Sequence, residues 1–276
     1  MRYAPALSVS RINDFFSCPL KFRYRVIDRI PEPPAPAAVR GTLVHAVLEN
    51  LYDLPAQDRT PEAAEALIDP AWQALVDKDP KLEEIFLTED RAAWMSKVAS
   101  LVRAYFRQEN PTRLNPAAEN RERMITEVLP SGLRFRGAVD RIDVAGDGAI
   151  RIIDYKTGRK PHPRYQGEAI FQLRAYALLI SLAEGRMPDL GHLIYLGSNE
   201  TFPYRYGPAD TQRALGRIDG AWSAISDCLE AGKFRPTTSK LCDWCSFQDR
   251  CPAFGGSEPE MSASGAERLR KVAVSA

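Results

Sequence analysis

The chain of 276 residues has few cysteines, almost no net charge and no long apolar run. Five cysteines, a sparse and odd number, exclude a small scaffold held together by disulfides. The longest apolar run, near residues 175–183, is about half as long as a membrane-spanning helix. The N-terminus has no signal-peptide apolar segment, so we expect a cytoplasmic protein. With 45% apolar and 26% charged residues, the composition is globular and excludes general disorder.

The net charge of +1 alone gives no indication of a nucleic-acid partner, but the charges are unevenly distributed. Residues 1–30 carry six bases and two acids, residues 151–164 carry five bases and one acid, and residues 51–90 carry three bases and eleven acids. Such segregation is compatible with a basic face for a phosphate backbone, although solvated surfaces have the same composition. In 18–25, basic residues alternate with Phe22 and Tyr24, a pattern suited to single-stranded nucleic acid.

The apolar periodicity predicts helices first, then strands, then helices, which indicates an α/β or α+β arrangement around a small mixed sheet. We predict five segments, at 1–38, 39–123, 124–232, 233–254 and 255–276. The first is an N-terminal helix followed by a polyproline-like linker at 31–38, and the second is helical with an acidic insertion that faces solvent. The third carries the sheet and two further helices, the fourth holds a cysteine cluster, and the last is expected to be a flexible tail.

The most informative stretch is GAVDRIDVAGDGAIRIIDYKTG at 137–158. A three-residue turn centred on position 147 would place Asp140 directly opposite Asp154, on strands whose neighbouring pairs are apolar. Like charges at that spacing destabilise a sheet unless a cation compensates them, and a hard divalent cation takes oxygen ligands. Lys156 lies two residues beyond Asp154 and so on the same face. The arrangement suits phosphodiester hydrolysis, whereas a surface hairpin with ordinary charges is the simpler alternative.

Two helical pairs accompany the hairpin. His45 and Glu49 are four residues apart on an early helix, and Gln172 and Tyr176 are four apart on the helix that follows the hairpin. A lone helical histidine is more often a satisfied core residue than a ligand. Gln172 and Tyr176 can hydrogen-bond to phosphate or to groups within the protein.

Three cysteines, Cys242, Cys245 and Cys251, lie within ten residues, and Cys18 is the candidate for a fourth ligand. Zinc and iron–sulfur clusters each take four such ligands, and the composition does not choose between them. Either site would tie the two ends of the chain together and contribute to folding free energy. We interpret Cys228, on the long C-terminal helix, as a core thiol.

Together these residues resemble the RecB-type nucleases of the PD-(D/E)xK superfamily, in the iron–sulfur branch that includes the AddB nuclease domain and CRISPR-associated adaptation exonucleases. The matching motifs occur in the family's order over most of 8–252: SVSRINDFFSCPLKFRYR, GTLVHAVLE, GAVDRID, IIDYKTG, FQLRAYA and CDWCSFQDRC. Val139 stands where the superfamily has proline, and Asp154 stands where many members have glutamate. The shorter Asp154 side chain could shift a metal ion and weaken activity.

The resemblance implies an α/β PD-(D/E)xK nuclease core with a small mixed central sheet flanked by helices, a helical insertion and an iron–sulfur staple between the two ends of the chain. It implies that His45, Asp140, Asp154 and the carbonyl of Tyr155 bind Mg²⁺ or Mn²⁺, with Lys156 as the catalytic lysine. Gln172 and Tyr176 would form the Q-x3-Y motif beside DNA. The same resemblance implies that a structural 4Fe-4S cluster is bound by four thiolates, those of Cys18, Cys242, Cys245 and Cys251. An imidazole ligand makes Mn²⁺ a plausible preference.

We therefore expect a metal-dependent deoxyribonuclease, a single-strand exonuclease in DNA repair or recombination. No G-x4-G-K-[ST] motif occurs, so any helicase would be a separate partner. Two alternatives stay open: a non-catalytic DNA-binding or scaffold subunit of a helicase–nuclease complex, and a zinc-stapled binding protein.

Overall fold

A computed structural model describes residues 4–274. The helices of this range are α1 (Val9–Ser17), α2 (Pro19–Phe22), α3 (Pro36–Leu51), α4 (Pro61–Ala66), α5 (Ile68–Lys78), α6 (Arg91–Tyr105), α7 (Gly167–Glu184), α8 (Asp210–Glu230) and α9 (Ala263–Arg270), with a π-helical turn at Arg23–Asp28. The strands are β1 (Arg121–Val128), β2 (Arg134–Val144), β3 (Ile150–Lys156), β4 (Leu190–Tyr195) and β5 (Glu200–Arg205). Short 3₁₀ turns include Pro80–Leu87, Lys240–Trp244 and Gln248–Arg250. No described helix is both long and apolar enough to cross a membrane.

The five strands form one mixed sheet in the order β1-β2-β3-β4-β5. Only β3 and β4 are parallel, because α7 crosses over the sheet between them, and the other neighbours are antiparallel. The predicted α/β architecture of a small mixed sheet flanked by helices is confirmed. The pattern did not predict β5, a strand at the sheet edge that contains no fully buried residue.

The sheet separates two apolar cores. The first core packs α1, α7 and α8 against one face through side chains such as Ile152 and Leu193. The second core packs α3, α5 and α6 against the other face, where Ile153 and Ile194 point. Alternate residues of β3 and β4 therefore enter different cores, as the period of a strand requires.

The acidic helical segment is not a cap that only faces solvent, so that prediction is wrong. Trp72 and Trp94 pack edge to face with ring centroids 5.5 Å apart, and both are buried in the second core. The acidic residues occupy the outer surface of helices whose inner surface covers the sheet. The linker prediction is also wrong at its end, because α3 already begins at Pro36, where a proline's fixed φ suits the first helical turn.

The predicted flexible tail at 255–276 is wrong for the residues that the structure describes. Helix α9 is capped by the side chain of Ser262 and buries Leu269. Its Gly265 lies directly on the π-helical turn, where a Cβ would come 2.1 Å from the carbonyl oxygen of Ile27. Only glycine permits this approach. The chain then adds an antiparallel bridge to Leu133, so the tail completes the first core.

The basic and aromatic pattern at 18–25 does not form a surface for single-stranded nucleic acid, contrary to the prediction. Phe22 and Tyr24 are buried in the first core. Arg23 between them is also buried and forms ion pairs with Asp28 and Glu258. The alternating basic and aromatic residues therefore belong to helical turns whose side chains at 22–24 are buried, and they do not form a solvent-exposed surface.

Strand β2 changes its facing at Asp140. Val139 and Ile142 both lie in the first core, whereas Arg141 reaches Tyr52 on the opposite side. Regular alternation would put Val139 and Arg141 on one face. Opposite this point on β1, Glu122 has φ of 44°, in the left-handed region that non-glycine residues rarely adopt. The kink turns the acidic side chains of two strands toward His45 on α3.

Candidate active site

The hairpin has the predicted register. Val144 pairs with Ile150 and Ile142 pairs with Ile152, and the ladder ends at Arg141 and Ile153. One position further on, the backbone N–H of Tyr155 donates to Asp140 Oδ2 at 2.7 Å. The Asp140 carboxylate has therefore replaced a backbone carbonyl as the acceptor, which fixes its position beside β3.

Three ligand-type side chains meet at this kink. His45 on α3, Glu122 on β1 and Asp140 on β2 each offer one atom, and these atoms all lie within 4.8 Å of one another. His45 Nδ1 is 3.4 Å from Glu122 Oε1 and 3.5 Å from Asp140 Oδ2. Its Nε2–H donates to the carbonyl oxygen of Tyr155 at 3.0 Å. The structure thus brings together three predicted groups, His45, Asp140 and the Tyr155 carbonyl, and adds Glu122.

The electrostatics of the group follow from burial and like charge. Burial of Asp140, together with the nearby charge of Asp154, raises the pKa of the Asp140 carboxyl. Burial opposes protonation of His45, but Asp140, Glu122 and Asp154 outweigh it and raise the pKa of the imidazole to about 9. Without a metal ion, protons on His45 and Asp140 therefore reduce the repulsion among the carboxylates, which a bound cation would otherwise do.

Asp154 lies beside this group rather than within it. Its Oδ2 forms an ion pair with Lys156 Nζ at 2.6 Å, and its Oδ1 accepts from Gln172 Nε2 at 2.8 Å. Lys156 also donates to Gln172 Oε1 at 2.6 Å, and Gln172 Nε2 donates to Tyr176 Oη at 2.8 Å. Burial works against the charge of Lys156, but Asp154 outweighs it and raises the pKa of the ammonium. Of the five side chains predicted from the hairpin and the Q-x3-Y motif, all except Asp140 therefore form one connected network.

Tyr176 is brought close by a glycine on the facing strand. A Cβ at Gly137 would lie 2.9 Å from Tyr176 Cε1, so the strand can approach the helix only without a side chain there. Burial raises the pKa of the Tyr176 hydroxyl well above its ordinary value, so the hydroxyl stays protonated.

A buried arginine supports the site from the opposite face of the sheet. Arg141 is only 1% exposed and binds the carboxylate of Glu109 through one nitrogen at 3.0 and 2.8 Å. It also donates to the hydroxyl groups of Tyr52 and Tyr155. The Tyr155 hydroxyl is thus held by Arg141 on one face of the sheet. The backbone N–H of Tyr155 donates to Asp140, and its backbone carbonyl accepts from His45, on the other face.

The four predicted cluster cysteines line one cavity of about 70 Å³ between α2 and the C-terminal 3₁₀ turns. Among the described residues, however, no three cysteine sulfurs lie within 4.8 Å of one another. A tetrahedral zinc ion with Zn–S of about 2.3 Å needs sulfurs about 3.8 Å apart. The arrangement is therefore not a compact single-ion site.

Backbone amides point at two of these sulfurs. Thr237 N lies 3.5 Å from Cys18 Sγ and Ser239 N lies 3.4 Å from Cys242 Sγ, both as donors. Cys228 does not line the cavity and packs against the first core, in agreement with its interpretation as a core thiol.

The sequence reasoning missed Glu122 and Arg141. Glu122 precedes the predicted start of β1, and its role depends on a left-handed backbone that no local pattern signals. Extending β1 backwards by two residues in the register of β2 would have placed it opposite Asp140. Arg141 belongs to the GAVDRID motif, but its burial depends on Glu109, 32 residues earlier.

The family follows from a comparison with known sequences. Residues 6–252 match the model of the PD-(D/E)XK nuclease superfamily, and the chain belongs to this superfamily. It is 24% identical over 271 residues to the Gene 69 protein of Mycobacterium phage D29, covering 91% of this chain and 97% of that protein. It is 30% identical over 176 residues to one subunit of the ATP-dependent helicase/deoxyribonuclease of Carboxydothermus hydrogenoformans, covering 55% of this chain and 16% of that protein.

Among solved structures, the chain is similar to a candidate exonuclease from Eubacterium rectale, with a TM-score of 0.58 and 14% sequence identity. The match covers 87% of both chains. At this identity the likeness shows a shared fold. It agrees with the mixed sheet and flanking helices described above.

Proposed function

We propose that this protein is a divalent-metal-dependent deoxyribonuclease of the single-strand exonuclease type. The observation that carries the proposal is the meeting of His45, Glu122 and Asp140 beside the ion pair of Asp154 and Lys156. A cation held by this group and the Lys156 ammonium would both act on one phosphate.

The donor set fits a hard divalent cation. Carboxylate oxygens, a backbone carbonyl and one imidazole are ligands of Mg²⁺ or Mn²⁺, and the imidazole favours Mn²⁺. His45, Glu122, Asp140 and the Tyr155 carbonyl would hold the ion. Asp154 is also a predicted ligand. Its buried Oδ2 has no hydrogen-bond partner in the described structure apart from the ion pair with Lys156, and this supports the predicted role. A bound ion would supply a polarised phosphoryl oxygen and a water of lowered pKa.

The chain's own groups position the reaction. The Lys156 ammonium, held by Asp154 and Gln172, is placed to stabilise negative charge on the attacked phosphate and to orient the attacking water. Gln172 hydrogen-bonds to both the lysine and the carboxylate and so fixes their relative orientation. Tyr176, protonated at neutral pH, orients Gln172 and can donate to a phosphate oxygen.

The substrate and partners are proposed from similarity and chemistry. The likeness to part of a helicase/deoxyribonuclease subunit supports DNA as the substrate and a separate helicase as partner. A role in repair or recombination is proposed from the family resemblance alone. The expected cytoplasmic location stays a prediction. We propose a 4Fe-4S cluster at Cys18, Cys242, Cys245 and Cys251. The common cavity and the amide donors to Cys18 and Cys242 support a metal group bound by these thiolates, and the family resemblance favours the cluster over zinc.

The experiment compares wild type with Asp154→Asn on end-labelled single-stranded DNA in Mn²⁺. Asparagine has the shape of aspartate but cannot balance Lys156, so we expect label release to fall by about 10²-fold, the upper range for groups that orient a metal site. The matched control is Asp147→Asn in the exposed hairpin turn, which should leave the rate unchanged. Closed circular single strands should resist cleavage if the enzyme is an exonuclease. Equal label release by Asp154→Asn and wild type would contradict the proposal, and no release by wild type would favour a non-catalytic DNA-binding subunit.

A further inference from the structure

A second charged site lies apart from the acidic residues, between the N-terminal segment, β2 and α9. It is a cavity of about 590 Å³ lined by nine described residues. Five of them are cations: Arg11, Arg29, Arg136, Arg268 and Lys271. No carboxylate and no aromatic ring is among the lining residues that the structure describes. A cleft lined by one sign of charge focuses its field and concentrates counter-ions.

Three of the cations, Arg11, Arg29 and Arg136, have no carboxylate partner among residues 4–274. Within this range, Arg11 donates only to the carbonyl of Ala6. Burial, together with the charges of Arg136 and Arg29, lowers the pKa of Arg11. Lys271 pairs with Glu267 at 3.4 Å, but both side chains are exposed and such pairs are weak.

This distribution differs from that of the other N-terminal bases. Lys21 and Arg25 form ion pairs with Asp14, and Arg23 is buried against acids. Arg2 lies outside the described residues. The basic character of residues 1–30 is therefore available to a ligand through Arg11 and Arg29, on the walls of this cavity.

The cavity also has a defined relation to the proposed cleavage site. Arg136 precedes Asp140 by four residues on β2, which is about 13 Å of strand at 3.3 Å per residue. At about 3.4 Å per stacked nucleotide, this separation corresponds to about four nucleotides. A strand whose scissile phosphate lies at Asp140 can therefore reach Arg136.

We propose that the basic cavity binds the phosphate backbone of a nucleic-acid strand outside the cleavage site. Guanidinium groups form charge-assisted, forked hydrogen bonds with phosphate oxygens. With no described aromatic ring to stack on bases, the contact is sequence-independent and salt-sensitive. The proposal deepens the proposed nuclease function and rests on it for the identity of the strand. Inorganic phosphate and mononucleotides share the chemistry, and the experiment separates them.

The test measures binding of fluorescent dT20 by anisotropy in EDTA, so that no cleavage is needed. Arg29→Ala combined with Arg136→Ala should weaken binding roughly tenfold and reduce the slope of log K against log salt by about 1.4, at 0.7 per lost phosphate contact. The control, Lys97→Ala with Arg103→Ala on α6, removes two exposed charges beside the second core and should leave both quantities unchanged. Arg29→Lys with Arg136→Lys should restore the slope, which a folding defect would not allow.

Ligand length distinguishes a strand from a small anion. A dT3 oligonucleotide, too short to span the two sites, should bind wild type much more weakly than dT20 does, and thymidine monophosphate should compete poorly against dT20. An unchanged affinity and slope for dT20 would overturn the proposal, and so would displacement of dT20 by the mononucleotide at equal phosphate concentration. If the chain proved unable to cleave DNA, the binding result would still decide the role of the cavity.

Discussion

His45 donates from Nε2 to the backbone carbonyl oxygen of Tyr155 at 3.0 Å, and this proton lies between two of the predicted metal ligands. The other ring nitrogen faces Glu122 and Asp140 at 3.4 and 3.5 Å. The imidazole is thus surrounded by oxygens, and its raised pKa of about 9 records that environment. A cation and the imidazolium proton satisfy the same oxygens, so they compete for the site.

Metal binding should therefore release protons. At pH 7 the His45 imidazole is protonated in the metal-free protein, because its pKa lies near 9, and a ligating imidazole must be neutral. Apparent Mn²⁺ affinity should rise by about tenfold per pH unit for each proton released and level off above pH 9. Calorimetry in buffers of different ionisation enthalpy counts the protons. His45→Gln should release about one proton fewer; an unchanged count would show that His45 is not a ligand.

Glu122 should be a fourth side chain of the metal site. Glu122→Gln keeps the shape but removes the charge, and we expect Mn²⁺ affinity to fall at least about tenfold, with label release falling in parallel. Glu119→Gln, an exposed change three residues earlier, is the matched control and should have no effect. Calorimetric titration with Mn²⁺ measures the difference. Equal affinity in the two variants would assign Glu122 to orienting His45 alone.

Local pattern predicted most of the fold because strands β2 and β3 carry a turn signal and an apolar alternation that fix their register. It could not predict β5, whose stability comes from pairing with β4 rather than from its own residues. It also could not predict α9, because the helix is stabilised by the packing of Gly265 and Leu269 in the core that contains Ile27, which is distant in sequence. Long-range packing overrode the small, polar composition of the tail.

The site divides in the same way. Asp140 and Lys156 followed from hairpin symmetry and strand alternation, and His45 and Gln172 needed the family resemblance to bring distant helices to the hairpin. Neither the strand pattern nor the family resemblance predicted Glu122, because its position depends on a kinked backbone with φ of 44°. Periodicity assumes regular strands and so cannot predict where such a side chain points.

Arg141 should matter for stability more than its distance from the phosphate suggests. Arg141→Met would leave the buried Glu109 with only the partly exposed Arg151 as an ion-pair partner, and breaking one side of a buried ion pair costs about 3–5 kcal/mol. Guanidinium-induced unfolding measures the loss. Adding Glu109→Gln to Arg141→Met should recover part of it, because the uncompensated charge is then absent. A loss below about 1 kcal/mol, the value typical of surface pairs, would contradict the buried network.

The cysteines give the last test, because the chain contains its own control. Cys18→Ser should abolish iron binding and lower the melting temperature, since a site that joins residue 18 to residues 242–251 contributes directly to folding free energy. Cys228→Ser, which changes a thiol outside the cavity, should retain iron. Protein purified without oxygen should be brown, with about four iron atoms per chain in wild type and Cys228→Ser. Colourless wild-type protein with one zinc per chain would overturn the cluster, and equal iron content in both variants would remove Cys18 from the ligand set.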